Sequence, residues 1–421
     1  MRRVLYSLLL HLLAPGAVIH LWWRGRKQPA YREHIAERFG RYRLPRPFTQ
    51  PIWVHAVSVG ETRAAEPLVL ALRQRHPDHQ ILLTHTTPTG RATGEQLFGA
   101  GVLRIYLPYD LPFAVRGFLD RFDPAVGILM ETELWPNLAA ACQQRGTPLY
   151  LANARLSARS ARRYARVAAL ARDVLESLSG VAAQTQADAD RLAALGAAHP
   201  IVTGNLKFDI EPPAAMLVLG RELRARFGAS RPVLLAASTR EGEEEIVLDA
   251  WRDARPDGAL LVIVPRHPQR FGEVAGLLDR RGLRWVRRSD AGSVVADVDV
   301  VLGDSMGEMT AYYSACDVAF VGGSLLPLGG QNLIEACAVG TPVLIGPHTF
   351  NFDEATALAI GAGAARRVAD GPALARTAAA LLSDHAQRDH MSAAARAFAT
   401  AHRGATARTL ALIESGWSPT R

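Results

Sequence analysis

From residue 50 onward the chain alternates short, nearly continuous apolar runs with longer stretches of helical character, and the alternation runs through twice. Runs this short and this apolar suit parallel strands covered on both faces, since a strand buried on two sides shows no polar face to water. The first series places strands at 52–58, 80–86, 103–107, 125–130, 148–152, 180–183 and 201–203, with helices over 61–74 and 138–145. The second places strands at 233–237, 259–264, 283–286, 298–302, 318–321 and 342–345, with helices over 242–255, 306–315, 331–339 and 353–360. Strand–helix alternation of this kind builds a doubly wound parallel sheet. The expected architecture is therefore two α/β domains, 35–206 and 207–421, joined through the Pro-bearing stretch 207–229. The Ala-rich helices after Ala373 are assigned to the second domain, and residues 1–34 stand apart.

Length agrees with this division: 421 residues suit two or three domains. The three cysteines, Cys142, Cys316 and Cys337, are far apart and form no CxxC pair, which argues against a disulfide framework and a structural zinc site. They read as small core residues in a reducing compartment.

Residues 4–23, VLYSLLLHLLAPGAVIHLWW, contain no Asp, Glu, Lys or Arg. About 20 apolar residues span a bilayer as a helix. Pro15-Gly16 would kink such a helix, so a shallow interfacial insertion is the alternative. Trp22 and Trp23 stand where amphipathic rings meet the interface. A small-residue cleavage site is missing before the basic run, which favours an anchor over a cleaved signal peptide. The net charge of +8 lies wholly within residues 1–46, whose basic residues are Arg2, Arg3, Arg24, Arg26, Lys27, Arg32, Arg38, Arg41, Arg43 and Arg46. A nucleic-acid binder spreads basic charge over a domain face; charge beside an apolar segment suits an anionic membrane surface instead. More bases follow the segment than precede it, which leaves the globular part in the cytoplasm.

Six strand ends carry polar groups suited to chemistry. WVHAVSVGET (53–62) runs a strand into Gly60 and begins a helix at Glu61, where the helix dipole favours an ionised carboxylate. Such a group can take a proton from a hydroxyl, or be an ordinary helix-start Glu. METELWPN (130–137) sets Glu131 and Glu133 at a second strand end, for acceptor orientation or for capping the helix after Pro136. Lys207 in GNLKFD is either a cation for an anionic substrate or a solvated linker residue. Arg266 and His267 in VPRHP suit phosphate contact. GDSMGEM brings Met306, Gly307 and Glu308 to a strand–helix turn that can hold an anion. GGSL (322–325) and GGQNLIEA (329–336) allow close backbone approach, with Asn332 in a first helical turn and Glu335 on the same face. Together the last three motifs point to a nucleotide pocket.

Three other strings carry less. Asp297-Val298-Asp299 has the spacing of a metal-holding D-x-D but leads into a buried run and reads as strand-edge solvation. Ala56-Val57-Ser58-Val59-Gly60 is similar to a nucleophile elbow with Ala for the first Gly. The stretch 361–366 lacks the third glycine of a dinucleotide fingerprint and reads as a turn.

Taken together, WVHAVSVGE, METELWPN, NARLS (153–157), GNLKFD, PRHPQRF, GDSMGEM, FVGGSL, GGQNLIEA and GPHTFNF resemble the 3-deoxy-D-manno-octulosonic acid (Kdo) transferases, from the apolar segment to about Phe352. That resemblance implies a GT-B architecture, two Rossmann-like domains facing a cleft. It also implies inverting transfer of Kdo from CMP-Kdo to the 6′-hydroxyl of a lipid A precursor at the cytoplasmic face of the inner membrane, with no metal and no cofactor. It makes Glu61 the general base, and Glu131 and Lys207 stabilisers of the transition state. Arg266, His267, Met306, Gly307, Glu308, Asn332, Leu333, Ile334 and Glu335 would hold CMP. Whether Glu131 or Glu133 lies nearer the chemistry stays open. The competing readings are a GT-B enzyme for another nucleotide sugar, a membrane-bound hydrolase using Ser58, and a non-catalytic lipid-surface binder.

Overall fold

The computed structural model describes residues 2–26, 28–43, 50–290, 292 and 294–417. Lys27 and Arg46 of the basic collar lie outside the described residues. The first sheet holds β1 (Ile52–His55), β2 (Ile81–His85), β3 (Leu103–Tyr106), β4 (Val126–Met130), β5 (Leu149–Ala154), β6 (Gly180–Ala183) and β7 (Ile201–Val202). Their spatial order is β3-β2-β1-β4-β5-β6-β7, and every pairing is parallel. The second sheet holds β8 (Val233–Thr239), β9 (Leu260–Pro265), β10 (Trp285–Arg287), β11 (Val300–Leu302), β12 (Val318–Val321), β13 (Val343–Ile345) and β14 (Ala365–Arg367). It too is parallel throughout, in the order β10-β11-β9-β8-β12-β13-β14. Both sheets are Rossmann-like, and together they make the two-domain GT-B class expected from the sequence.

Each sheet is buried on both faces. In the first, Trp53, Phe118, Leu138 and Leu151 fill one side, and Val54, Leu68, Ile128 and Met130 fill the other. In the second, Leu234, Trp251, Ile263 and Phe320 share one cluster. One strand escaped the sequence reading. Of the turn expected over 361–366 only 362–364 is a turn, with Gly363 at φ 75°; Gly361 ends the preceding helix, and residues 365 and 366 already belong to β14. This edge strand carries two arginines and no aliphatic run, so no apolar signal marks it.

The compact units divide the chain at Ile210/Glu211 and again at His402/Arg403, so the second unit is Glu211–His402. This corrects the placing of 207–421 in one domain. The last helix, Ala405–Gly416, belongs to the first unit, where Ala405, Leu410, Ile413 and Trp417 pack with Val54 and Leu68. The Asp209 carboxylate accepts from the backbone N–H of Gly404 (2.6 Å) and Thr406 (2.5 Å), pinning the outgoing and returning strands together. Residues 207–210 stay with the first unit for the same reason.

The helix Arg2–Arg24 runs through Pro15 without interruption and buries only Leu21. By length and composition it is able to cross a membrane. Near its start the Ser7 hydroxyl donates to Asn137 Oδ1 at 3.0 Å, tying it to the first unit, while Leu5, Leu12, Ile19 and Trp23 stay exposed.

Candidate functional site

In the first sheet β1 lies between β2 and β4, so the chain order reverses there. Ligands of open α/β sheets bind outside the carboxyl ends of the strands at such a reversal. Glu61 follows β1 and Glu131 follows β4, the two strands that flank it.

Ser58 caps the helix Val59–Arg75 by accepting from the Glu61 N–H, and the Glu61 carboxylate returns to the Val57 N–H at 2.8 Å and the Ser58 hydroxyl at 3.1 Å. This is a variant of the capping box in which the carboxylate reaches the N–H one residue ahead of the cap, and it would by itself explain a Glu at this position. It does not explain the group's proton affinity. Burial, with the nearby charges of Glu131 and then Glu133, outweighs those hydrogen bonds and pushes the Glu61 pKa up to about 7. Burial, with Glu131 adding to it, likewise raises Glu133 to about 7. Glu131 is held at φ 57°, a left-handed conformation that costs a non-glycine residue about 1 kcal/mol or more. Its Oε1 lies 3.8 Å from Lys207 Nζ. Lys207 is placed by Asn153, itself at φ 54°, whose Oδ1 accepts from the Leu206 N–H at 3.0 Å. The structure thus brings Glu61, Glu131, Glu133 and Lys207 to one sheet end. Carboxylates with raised proton affinity beside a cation can take up a proton and steady charge.

Ser58 does not suit a hydrolase. Its hydroxyl is committed to the cap, and the nearby His85 spends Nδ1 on the Ala56 carbonyl at 2.8 Å.

In the second sheet the order reverses between β8 and β12. Arg266 and His267 follow β9, and Arg266 Nε donates to Gln331 Oε1 at 3.3 Å. Partial burial and the charges of Arg266, Arg240 and Arg270 lower the His267 pKa. Glu308 accepts from the Ser305 hydroxyl at 2.6 Å and pairs with Arg288 at 3.2 Å. The helix expected from Met306 starts at Met309 and is seven residues long, so Met306 and Gly307 lie in a turn, with Gly307 at φ 81° and Met306 exposed. The helix expected from Gln331 starts at Ile334. Asn332 lies just ahead of it, accepting from the Ile334 N–H and donating to Glu335 Oε1, each at 3.1 Å. Leu333 and Ile334 have buried side chains, which leaves only their backbone for any contact with a ligand.

Sequence reasoning missed three features. Glu243, fully buried after β8, accepts from the N–H of Arg240 (2.9 Å), Gly323 (2.5 Å), Ser324 (2.9 Å) and Leu325 (3.0 Å). Arg240 stands beside it. In the first unit the helix Ala158–Ala165 packs Ala161 and Tyr164 against the core cluster of the first sheet and leaves Arg159, Arg162 and Arg163 exposed, along with Arg166, which ends it. The signal for this last feature was the absence of any acid between Glu133 and Asp173.

Residues 33–210 match the sequence profile of the 3-deoxy-D-manno-octulosonic-acid transferase (kdotransferase) family. Over 98% of its length the chain is 49% identical to the 3-deoxy-D-manno-octulosonic acid transferase of Bordetella pertussis, covering 99% of that protein. The chain belongs to the Kdo transferase family. The Haemophilus influenzae Kdo transferase is 40% identical over 98% of both chains. At the level of fold alone, the UDP-GlcNAc 2-epimerase of Neisseria meningitidis superposes with a TM-score of 0.59 at 16% identity, covering 87% of this chain and all of that one. This Kdo transferase is accordingly a glycosyltransferase, and its chain spans nearly the whole length of these two relatives.

Proposed function

We propose that the enzyme transfers Kdo from CMP-Kdo to the 6′-hydroxyl of a lipid A precursor with inversion, at the cytoplasmic face of the inner membrane. Glu61 is the general base. Its carboxylate takes the hydroxyl proton while the hydroxyl oxygen bonds to the anomeric carbon of Kdo and the bond from that carbon to the CMP phosphate breaks. Glu131, held by Lys207, steadies the positive charge that develops on the sugar. Arg266, His267, the 306–308 turn, the backbone at Leu333 and Ile334, and the polar pair Asn332 and Glu335 hold the CMP moiety. Guanidinium groups neutralise the phosphate as it leaves. The observation that carries this reading is the gathering of Glu61, Glu131, Glu133 and Lys207 at the topological reversal of the first sheet, where burial and the neighbouring carboxylates push the Glu61 pKa up to about 7. A base is most effective when its pKa lies near the working pH.

Mass spectrometry of products from lipid A precursor and CMP-Kdo tests the reading. Appearance of Kdo-bearing precursor supports it, and turnover only with a different nucleotide sugar overturns it. Lys207→Ala should lower kcat about 100-fold and leave CMP affinity unchanged, as measured by steady-state kinetics and calorimetry. Loss of CMP binding in that variant would move Lys207 to the donor.

The helix Arg2–Arg24, the basic collar and the arginines of Ala158–Ala165 support membrane attachment. Deleting residues 2–24 should abolish co-sedimentation with vesicles containing anionic lipid while detergent-dispersed acceptor is still turned over. Undiminished co-sedimentation would contradict the anchor.

A further inference from the structure

The donor of the proposed reaction carries two negative groups. One is the CMP phosphate. The other follows from the chemistry of an octulosonic acid, a keto acid whose carboxylate sits on the anomeric carbon itself, next to the bond that breaks. A site for such a sugar needs a second cation beside its phosphate site, or neutral donors aimed at the carboxylate.

Three N–H donors of the glycine loop after β12 are already taken. The N–H groups of Gly323, Ser324 and Leu325 already converge on the Glu243 carboxylate, at 2.5, 2.9 and 3.0 Å. The neighbouring cations are mostly engaged as well. Arg270 is paired with Glu244 at 2.6 Å and Glu273 at 3.3 Å, and Arg288 with Glu308 at 3.2 Å. Arg240 differs. Among the described residues no hydrogen bond and no ion pair to its guanidinium is found, although the residue is partly buried. It follows β8, and the glycine loop follows β12, so the two flank the reversal of the second sheet. Its stem passes Gly323, where an added Cβ would stand 3.6 Å from Arg240 Cγ and 3.2 Å from the Gln331 amide nitrogen. Gly323 is at φ 68°, so the crowding and the backbone both keep a side chain out of this spot. Ser238, two residues before Arg240, is held at φ 53°, a strained conformation of the kind that clusters at ligand sites.

We infer that Arg240 is the specificity-determining ligand for the sugar carboxylate of the donor, standing over Gly323 beside the Arg266–His267 phosphate site. A planar guanidinium matches a carboxylate through two parallel hydrogen bonds. Such a contact distinguishes an acidic keto sugar from the neutral sugars carried by most nucleotide donors. The inference rests on the CMP-Kdo reading above.

The experiment uses the full chain with CMP and CMP-Kdo as probes. Arg240→Ala should raise KM for CMP-Kdo about 50-fold, the range of a charged hydrogen bond. The inhibition constant for CMP, which has no sugar carboxylate, should change less than about twofold on the same argument. Arg240→Lys keeps a charge without the fork and should recover part of the loss, whereas Arg240→Gln should behave like the alanine variant. Thermal unfolding of each variant with saturating CMP identifies any that fails to fold, in which case the lysine and glutamine pair decides. Equal losses for CMP and CMP-Kdo, or no loss for either, overturn the assignment. If the unaltered enzyme does not turn over CMP-Kdo at all, the donor reading fails instead.

Discussion

Glu61→Gln should lose about a thousandfold or more in kcat, on the scale at which general-base catalysis contributes, while CMP-Kdo still binds. The amide keeps the oxygen that accepts from the Val57 N–H, so the start of the helix Val59–Arg75 persists, but it cannot take a proton. Folding should not suffer. The folded protein holds the Glu61 proton to about pH 7, whereas the unfolded chain releases it near 4.5, so this group makes the native state less stable as pH rises between those values. The glutamine variant escapes that loss and should melt no lower than the unaltered enzyme at pH 8. Near-normal turnover in the variant would refute the base assignment.

Glu243→Ala should cost about 4 kcal/mol of stability, with a fall of roughly 10 °C in the unfolding of the second unit. The carboxylate collects N–H groups from both sides of the second sheet's reversal, and its removal leaves the donors of Arg240, Gly323, Ser324 and Leu325 facing a small buried space. Each buried donor without a partner costs about 1–3 kcal/mol. Water entering the vacated space would offset part of this. Glu243→Gln keeps one acceptor oxygen and should lose about half as much, still with weaker donor binding, because the glycine loop needs both oxygens to hold its shape. Differential scanning fluorimetry with and without CMP measures both effects. A melting temperature within about 2 °C of the unaltered enzyme, less than 1 kcal/mol for a unit of this size, would show that the loop does not depend on this carboxylate.

Much of the fold was legible because burial on both faces leaves an unmistakable apolar signature. Trp53-Val54 and Leu261-Val262-Ile263 announce their strands before any coordinates are drawn. The β14 strand was hidden for the opposite reason, as an edge strand with polar side chains needs no apolar run. The last helix was misassigned because its apolar face, Leu410 and Ile413, shows that it packs but not on which unit; the decisive feature, Asp209 binding the chain as it returns, is nearly two hundred residues away. At the candidate site, the position of Glu61 was readable from a strand, a glycine and a helix start. Its proton affinity was not, since that depends first on burial and then on the charges of Glu131 and Glu133, and only the fold supplies either. Helix starts at Met309 and Ile334 came later than the sequence suggested, because glycines and an Asx-type cap at Asn332 delay them. Arg240 and Glu243 went unread for a related reason. An S-T-R-E-G-E-E string looks like a solvated helix start until the sheet order shows that it borders the glycine loop.

The pH dependence of single-turnover transfer, with CMP-Kdo and lipid A precursor both saturating, bears most directly on Glu61 as the base. The rate should rise about tenfold per pH unit below about 7, level off above it, and lose this break in Glu61→Gln. A profile flat from pH 5 to 9 in the unaltered enzyme, or a break that survives the substitution, would contradict the account.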